Sequence, residues 1–174
     1  MLKRYIFLVK EFPRWSSFAQ FAFFGTFGEL VVLTYRLQNL FPWSYQTFFL
    51  KIMAWGVLGV LIKYGFVGMK GFVIALVKQK FLSEKNLVGW RWALTVSLVT
   101  NIFFGPVMMF IHRLEDNLIA WEWNMAGLGY AWLTLFYFWI PAHFYTFLQK
   151  DEYQIGIAGI WSIALGIILG IFMY

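Results

Sequence analysis

Apolar residues run along this chain in long blocks, and polar residues collect in the gaps between them. The block SSFAQFAFFGTFGELVVLTY carries a single ionisable group, Glu29, near its middle. A helix of about 20 mostly apolar residues spans a hydrocarbon layer about 30 Å thick. The same pattern predicts five spans, at 16–37, 43–81, 87–111, 125–148 and 155–174. Residues 1–14 are patterned differently. Leu2, Tyr5, Ile6, Val9 and Phe12 share one side of a helix, while Lys3, Lys10 and Arg14 share another. That is the signature of an amphipathic helix lying in a membrane interface. Pro13 disfavours helix at Phe12 and marks the turn into the first span. The fold class expected is all-α: one domain, 1–174, forming an integral membrane helical bundle of about five transmembrane helices plus the N-terminal amphipathic helix.

The segment 43–81 contains no strong breaker, and at about 1.5 Å per residue it exceeds about 55 Å. It is either one tilted helix that protrudes from the membrane or a helix bent at Gly65, Gly68 and Gly71. One long helix is favoured, because two spans need a polar turn between them. Pro106 and Pro141 fall inside the third and fourth spans. Each removes a helical hydrogen bond and predicts a kink. In the fifth span Gly159, Ser162, Gly166 and Gly170 share one side, a face suited to close helix packing.

Composition sharpens this reading. The chain has 174 residues, 61% hydrophobic and 13% charged. Soluble domains carry about 25% charged residues, so the deficit places the chain in lipid. The net charge of +6 does not imply nucleic acid, because the basic residues sit at span ends, opposite anionic headgroups. The absence of cysteine excludes disulfides, iron–sulfur clusters and thiol catalysis. The opening MLKRYIFLVKEFPRW lacks a small-residue cleavage site and, holding Glu11 with little Ser or Arg, does not read as a leader peptide. Lys3, Arg4, Lys10 and Arg14 precede the first span, and Lys78, Lys80, Lys85 and Arg91 flank the second connection. Glu115, Asp116 and Glu122 outnumber Arg113 after the third span. The Lys/Arg bias therefore predicts an inside N-terminus, an acidic outside loop and Tyr174 outside. Trp15, Trp43, Trp90, Trp121 and Trp123 fall near the expected interfaces, where indole is favoured.

Projected at 100° per residue, three spans each show a narrow face of small and polar residues. These are Ala22, Gly25, Glu29 and Arg36; Gly56, Gly59, Lys63 and Lys70; and Ser97, Asn101, Gly105, Met108 and His112. Counted from the inner edge, Glu29 and Asn101 both lie about 20 Å up, with Lys63 and Lys70 at roughly 27 and 16 Å. The candidate site is thus a mid-membrane polar layer of Glu29, Lys63, Lys70, Asn101 and Thr100. A buried charge in lipid is costly and faces protein or water, so Glu29 is expected within reach of Lys63 or Lys70. One reading is a hydrated pocket or pore; the other is a structural ion pair among touching helices. Two lysines against one carboxylate leave a positive potential, which favours small anions, with Thr100 and Asn101 donating hydrogen bonds to them. His112 and His143 lie near opposite ends of their spans, so no metal or cofactor is expected. His143 follows Pro141 by two residues and is expected to satisfy a backbone group freed there. No HExxH, GxGxxG or Walker motif is present, and no nucleophile is spaced beside Glu29, so no enzymatic activity is expected.

The order of residues also resembles the Mpv-seventeen family, which includes the twenty-two-kilodalton peroxisomal membrane protein. Tyr5, Pro13, Gly28 and Glu29 keep that family's spacing, with Glu29 in place of its Asp. GFVG at Gly65–Gly68 and KQKFL at Lys78–Leu82 are similar to its second helix, although Met69 stands where the family has Pro. Thr100, Asn101 and Pro106 follow its third-helix signature. The fourth helix departs most: Pro141 and the later Trp161 match, but Leu133, Phe136 and Tyr145 occupy the family's polar positions. The resemblance implies a bacterial cytoplasmic or organellar membrane, mitochondrial inner or peroxisomal, and a channel or small-solute transport role. The expected function is a small-solute or anion channel or transporter in the lipid bilayer. The alternative is a non-transporting membrane scaffold or homeostasis protein. Oligomer formation is left open.

Overall fold

The computed structural model describes the backbone of residues 2–172 and the side chains of residues 2–164. All regular structure among them is helical. The helices are α1 (Leu2–Glu11), α2 (Pro13–Leu37), α3 (Tyr45–Lys78), α4 (Gly89–Val99), α5 (Gly105–Ala120), α6 (Leu128–Thr134), α7 (Ile140–Leu148) and α8 (Asp151–Phe172). A 3-10 turn at Glu84–Leu87 joins α3 to α4, and π turns at Thr100–Phe104 and Leu135–Trp139 join α4 to α5 and α6 to α7. Three helices are long and apolar enough to cross a membrane: Pro13–Leu37, Tyr45–Lys78 and Gly89–Ala120, the last counting α4, its π turn and α5 as one.

The boundaries follow local chemistry. Pro13 occupies the first turn of α2, where a missing N–H costs nothing, so the helix starts there rather than at 16. α2 ends on Gln38 in the left-handed region (φ 51), and the Gln38 side-chain amide donates to the Tyr35 carbonyl at 2.6 Å. α3 runs unbroken from Tyr45 to Lys78, the single long helix favoured above. The third helical segment continues to Ala120 rather than stopping at 111, because nothing in HRLEDNLIA breaks a helix; it ends on left-handed Trp121. The fourth begins at Leu128, not 125. Asn124 accepts the Ala126 N–H at 2.8 Å and Gly127 takes a φ of 80°, so these residues form a turn.

Neither interior proline ends its helix. Each sits two residues beyond a π turn. The Gly105 N–H bonds the Thr100 carbonyl and the Ile140 N–H bonds the Leu135 carbonyl, five residues back instead of four. In a regular α-helix the proline ring collides with the carbonyl four residues earlier, and the wider turn relieves that collision. The kinks expected at Pro106 and Pro141 therefore appear as π turns, and the two turns pack against each other.

The chain forms two compact units, Met1–Leu61 with Ile155–Tyr174, and Ile62–Gln154. In the first, α2 and the start of α3 make an antiparallel hairpin. Phe21 meets Gly59, Gly25 meets Trp55 and Glu29 meets Lys51. Each pair steps one turn along each helix in opposite directions, and all three are centred on Leu40 in the connection. α8 instead runs parallel to α2: Gly156 lies against Gln20, Gly159 against Phe24, and Ile163 against Gly28. α1 is tied down by the Tyr5 hydroxyl, which donates to Gln20 at 3.1 Å, and by buried Val9. Gly159 of the expected small-residue face thus packs on Phe24. Gly166 and Gly170 of that face, and Tyr174, lie outside the described side chains.

In the second unit Gly65 receives the Phe104 ring, a hairpin pairing centred on the 3-10 turn, and Gly105 receives Leu135, centred on Ala120. The Ser97 hydroxyl donates to the Ile140 carbonyl at 2.7 Å. The small residues read as polar-stripe members are therefore largely sockets for large side chains, a device that lets helices approach closely. Ser17, Ser97, Thr100, Asn101, Thr134 and Thr146 are buried, while Phe23, Phe27, Leu61, Phe103 and Phe110 are exposed. Phe66, Val73 and Val96 are also buried, so the interior mixes polar and apolar side chains while many large apolar ones face outward.

The hairpin register has a direct test. A Cβ at Gly59 would lie 2.6 Å from the Ser17 carbonyl oxygen and 2.5 Å from the Phe21 Cβ, whereas one at Gly68 meets nothing within 4 Å. Gly59→Ala is expected to destabilise by about 1–3 kcal/mol through overpacking. Gly68→Ala is expected to stabilise by roughly 0.5–1 kcal/mol by removing a helix-interior glycine. Thermal unfolding in detergent reads both; a Gly59→Ala protein melting at the wild-type temperature contradicts the register.

Candidate functional site

Glu29 sits two turns before the end of α2, and both its oxygens are occupied. Lys51 Nζ pairs with Oε1, and the Trp55 indole N–H donates to Oε2 at 2.8 Å. The lysine side chain is 9% exposed and the carboxylate 22%. Gly25, one turn earlier on α2, makes the arrangement possible: any Cβ there would overlap the Trp55 ring. The ring therefore lies across Gly25 and delivers its N–H to the next turn. Lys51 also lies 6.0 Å from the centroid of the Trp43 ring, within cation–π range.

The partner of Glu29 is thus Lys51, and the expected pairing with Lys63 or Lys70 is corrected. The reason is register. In a hairpin centred on Leu40, residue 29 faces residue 51. Lys63 lies twelve residues further along α3, about 18 Å away along the axis. Counting depth from the far end of a segment longer than the membrane set the origin in the wrong place. Counting outward from the 38–44 connection would have found Lys51.

The two expected lysines lie in the second unit. Lys70 donates to Asp151 at 2.6 Å. Asp151 opens α8 directly after the α7–α8 turn, and its side chain is 74% exposed. The Lys70 ammonium is also 5.8 Å from the Phe147 ring centroid. Lys63 is half-buried. It feels the charges of Lys70, Asp151 and Glu152.

Thr100 and Asn101 open the first π turn, and both are buried. The Asn101 amide donates to the Ser97 carbonyl at 2.8 Å. His143 Nδ1 lies 3.1 Å from Asn101 Nδ2 and 3.2 Å from its Oδ1. If Nδ1 carries no proton, the amide N–H donates to it; if it does, the amide oxygen accepts. His143 is therefore held by a side chain on the facing helix rather than by a backbone group beside Pro141. Its ring is edge-on to Phe66 at 5.2 Å and tilted against Trp139 at 5.1 Å. The Thr100 hydroxyl and the Trp139 indole nitrogen are buried without a hydrogen-bond partner among the described residues. Among these residues no three His, Asp or Glu side chains converge on a metal position.

Of the five expected site residues, four fall in the second unit, where Thr100 and Asn101 open the π turn and Lys63 and Lys70 share α3. Glu29 belongs to the first. Lys51, Trp55 and Trp139 were missed. No signal in the sequence marks the last two, because the partner of an indole N–H is set by neighbours distant along the chain.

These elements define an all-helical protein, among the described residues, with three helices apolar enough to cross a membrane. No protein-family model, no curated protein and no solved structure matches the chain.

A double-mutant cycle tests the Glu29 contacts. Removing one member of a buried ion pair costs roughly 3–5 kcal/mol in soluble proteins, so Glu29→Gln is expected to lower the melting temperature in detergent. Adding Lys51→Met should recover part of the loss, and adding Lys63→Met should recover none. Equal recovery by both would refute the pairing.

Proposed function

We propose that the chain is an integral membrane protein of five crossings that binds and passes a small polar solute, with Thr100, Asn101, Trp139 and His143 as its contacts. The observation that carries this reading is the pair of buried, unpartnered groups, Thr100 Oγ1 and Trp139 Nε1, on two π turns that pack together. A buried polar group without a partner costs about 1–3 kcal/mol, and a solute exchanging hydrogen bonds with such groups recovers that cost. π turns recur at functional sites in helices. The crossing count is supported by the parallel pairing of α2 and α8, which an odd number of crossings gives, and by the Lys/Arg bias. The resemblance to the Mpv-seventeen family points the same way, toward an organellar or bacterial cytoplasmic membrane.

The nature of the solute follows from the charges. Lys51 is paired with Glu29 and Lys70 with Asp151, so the support for an anion narrows to Lys63. The groups at the π turns are uncharged at Thr100, Asn101 and Trp139, which suits neutral polar solutes as well. A second reading, a non-transporting scaffold, is favoured by the Glu29–Lys51–Trp55 contacts: both carboxylate oxygens are satisfied within the fold, as helix association alone requires.

Purified protein in liposomes separates the readings. Flux of neutral polar solutes or anions above protein-free vesicles is expected. Thr100→Val should reduce it by about fivefold, the worth of one hydrogen bond of about 1 kcal/mol, while raising the melting temperature, since the unpartnered hydroxyl is removed. Folded protein that passes neither class leaves the scaffold. Orientation has its own check: a single cysteine at position 118 should be labelled by a membrane-impermeant reagent from the side opposite the N-terminus.

A further inference from the structure

The α3–α4 connection carries chemistry that the bundle interior does not use. Lys70 is fastened to Asp151 at the α7–α8 turn, and α3 continues for eight residues beyond it, to Lys78. That is about 12 Å of helix past the level of the turn. Gly71, on this stretch, has open space where its side chain would be.

The tip is a built turn rather than a loose loop. The Phe81 N–H bonds the Leu76 carbonyl and the Lys80 N–H bonds the Val77 carbonyl, both at 2.9 Å. With Lys80 left-handed at φ 63, this is the paired hydrogen-bond closure that commonly ends helices. The Asn86 N–H bonds the Ser83 carbonyl at 2.9 Å and shapes the 3-10 turn that follows. Lys78, Lys80, Lys85 and Arg91 are all exposed, against Glu84 as the acidic residue between them. Phe81, Val88 and Trp90 are exposed beside them, and the Arg91 guanidinium lies 5.4 Å from the Trp90 ring centroid. Basic groups interleaved with outward-facing apolar side chains, on a fixed frame, match an anionic interface: phosphates outside, hydrocarbon just beneath. A nucleic acid would reward the charges but leave Phe81 and Val88 in water.

We propose that the α3–α4 tip is a docking surface for an anionic lipid leaflet, with Lys78, Lys80, Lys85 and Arg91 on headgroup phosphates and Phe81 and Trp90 seated in the headgroup layer. It rests on the membrane reading above. That reading is checked separately by reconstituting the full chain into phosphatidylcholine vesicles and asking whether it resists alkaline carbonate extraction.

The experiment compares lipid retained by the delipidated full chain in detergent after incubation with equal phosphatidylglycerol and phosphatidylcholine, counted by native mass spectrometry. Preference for phosphatidylglycerol is expected at low salt and should decline as salt rises. Each basic residue near an anionic surface contributes about fivefold. Lys78→Gln, Lys80→Gln, Lys85→Gln and Arg91→Gln together should therefore lower the preference by more than about tenfold, with helical content and carbonate resistance unchanged. Lys80→Asn, which suits the left-handed backbone, should lower it several-fold alone. Equal retention of the two lipids by the wild type overturns the proposal. So does a preference that survives all four changes, which would assign it to the basic residues of α1. Binding of a single-stranded RNA probe without any lipid preference would overturn it in favour of nucleic acid.

Discussion

A carboxylate taken out of water has to be met by donors at fixed positions, and in this protein that requirement sets the geometry of the first unit. Glu29 is met by Lys51 and by the Trp55 indole N–H. Trp55 can serve it only because residue 25 has no side chain. One turn either side on α2, the ring would face Phe21 or Glu29 itself. A slip of the hairpin by a turn would therefore strand the charge and collide the ring at once. Apolar packing tolerates such slips better, since one apolar surface resembles another; a part-buried carboxylate with two directional donors does not. Gly59 against Phe21 continues the same register a turn further on.

The second unit is governed by two prolines. Each helix that contains one keeps going by widening a turn, and the two widened turns meet. The result places Ser97, Asn101 and His143 in one hydrogen-bonded set, with the Ser97 hydroxyl on the Ile140 carbonyl across the same seam. Backbone irregularity inside an apolar environment is tolerated where protein covers it, and Thr100 and Asn101 are accordingly among the most buried side chains.

The helices were legible from sequence because hydropathy and prolines are local signals. The amphipathic start, the unbroken Tyr45–Lys78 helix and the turn at Pro13 follow from residues a few positions apart. The candidate site was legible only in part. Glu29 and Asn101 stood out because polar groups in apolar blocks are costly. Their partners did not, because partnership depends on register, and register was measured from the wrong end of a helix longer than a bilayer. Gly25, Gly59 and Gly105 were visible as small residues on stripes, but a stripe of small residues looks the same whether it lines a passage or receives a neighbour's ring. The widening of the helices before Pro106 and Pro141 was invisible as such, since a proline announces a disturbance and not its form.

The first unit is discontinuous along the chain: Met1–Leu61 is completed by the segment beginning at Ile155, with the whole second unit between them. The α2 face that includes Gln20, Phe24 and Gly28 is completed by α8, where a Cβ on Gly156 would lie 3.1 Å from the Tyr5 hydroxyl. Synthesis proceeds from the N-terminus, so α1 and α2 emerge long before the surface that covers them. The second unit, being contiguous, has all its parts by the time Gln154 is made. The assembly order is therefore imposed by connectivity: the unit that begins first closes last, and during the interval the α2 face waits for its α8 cover.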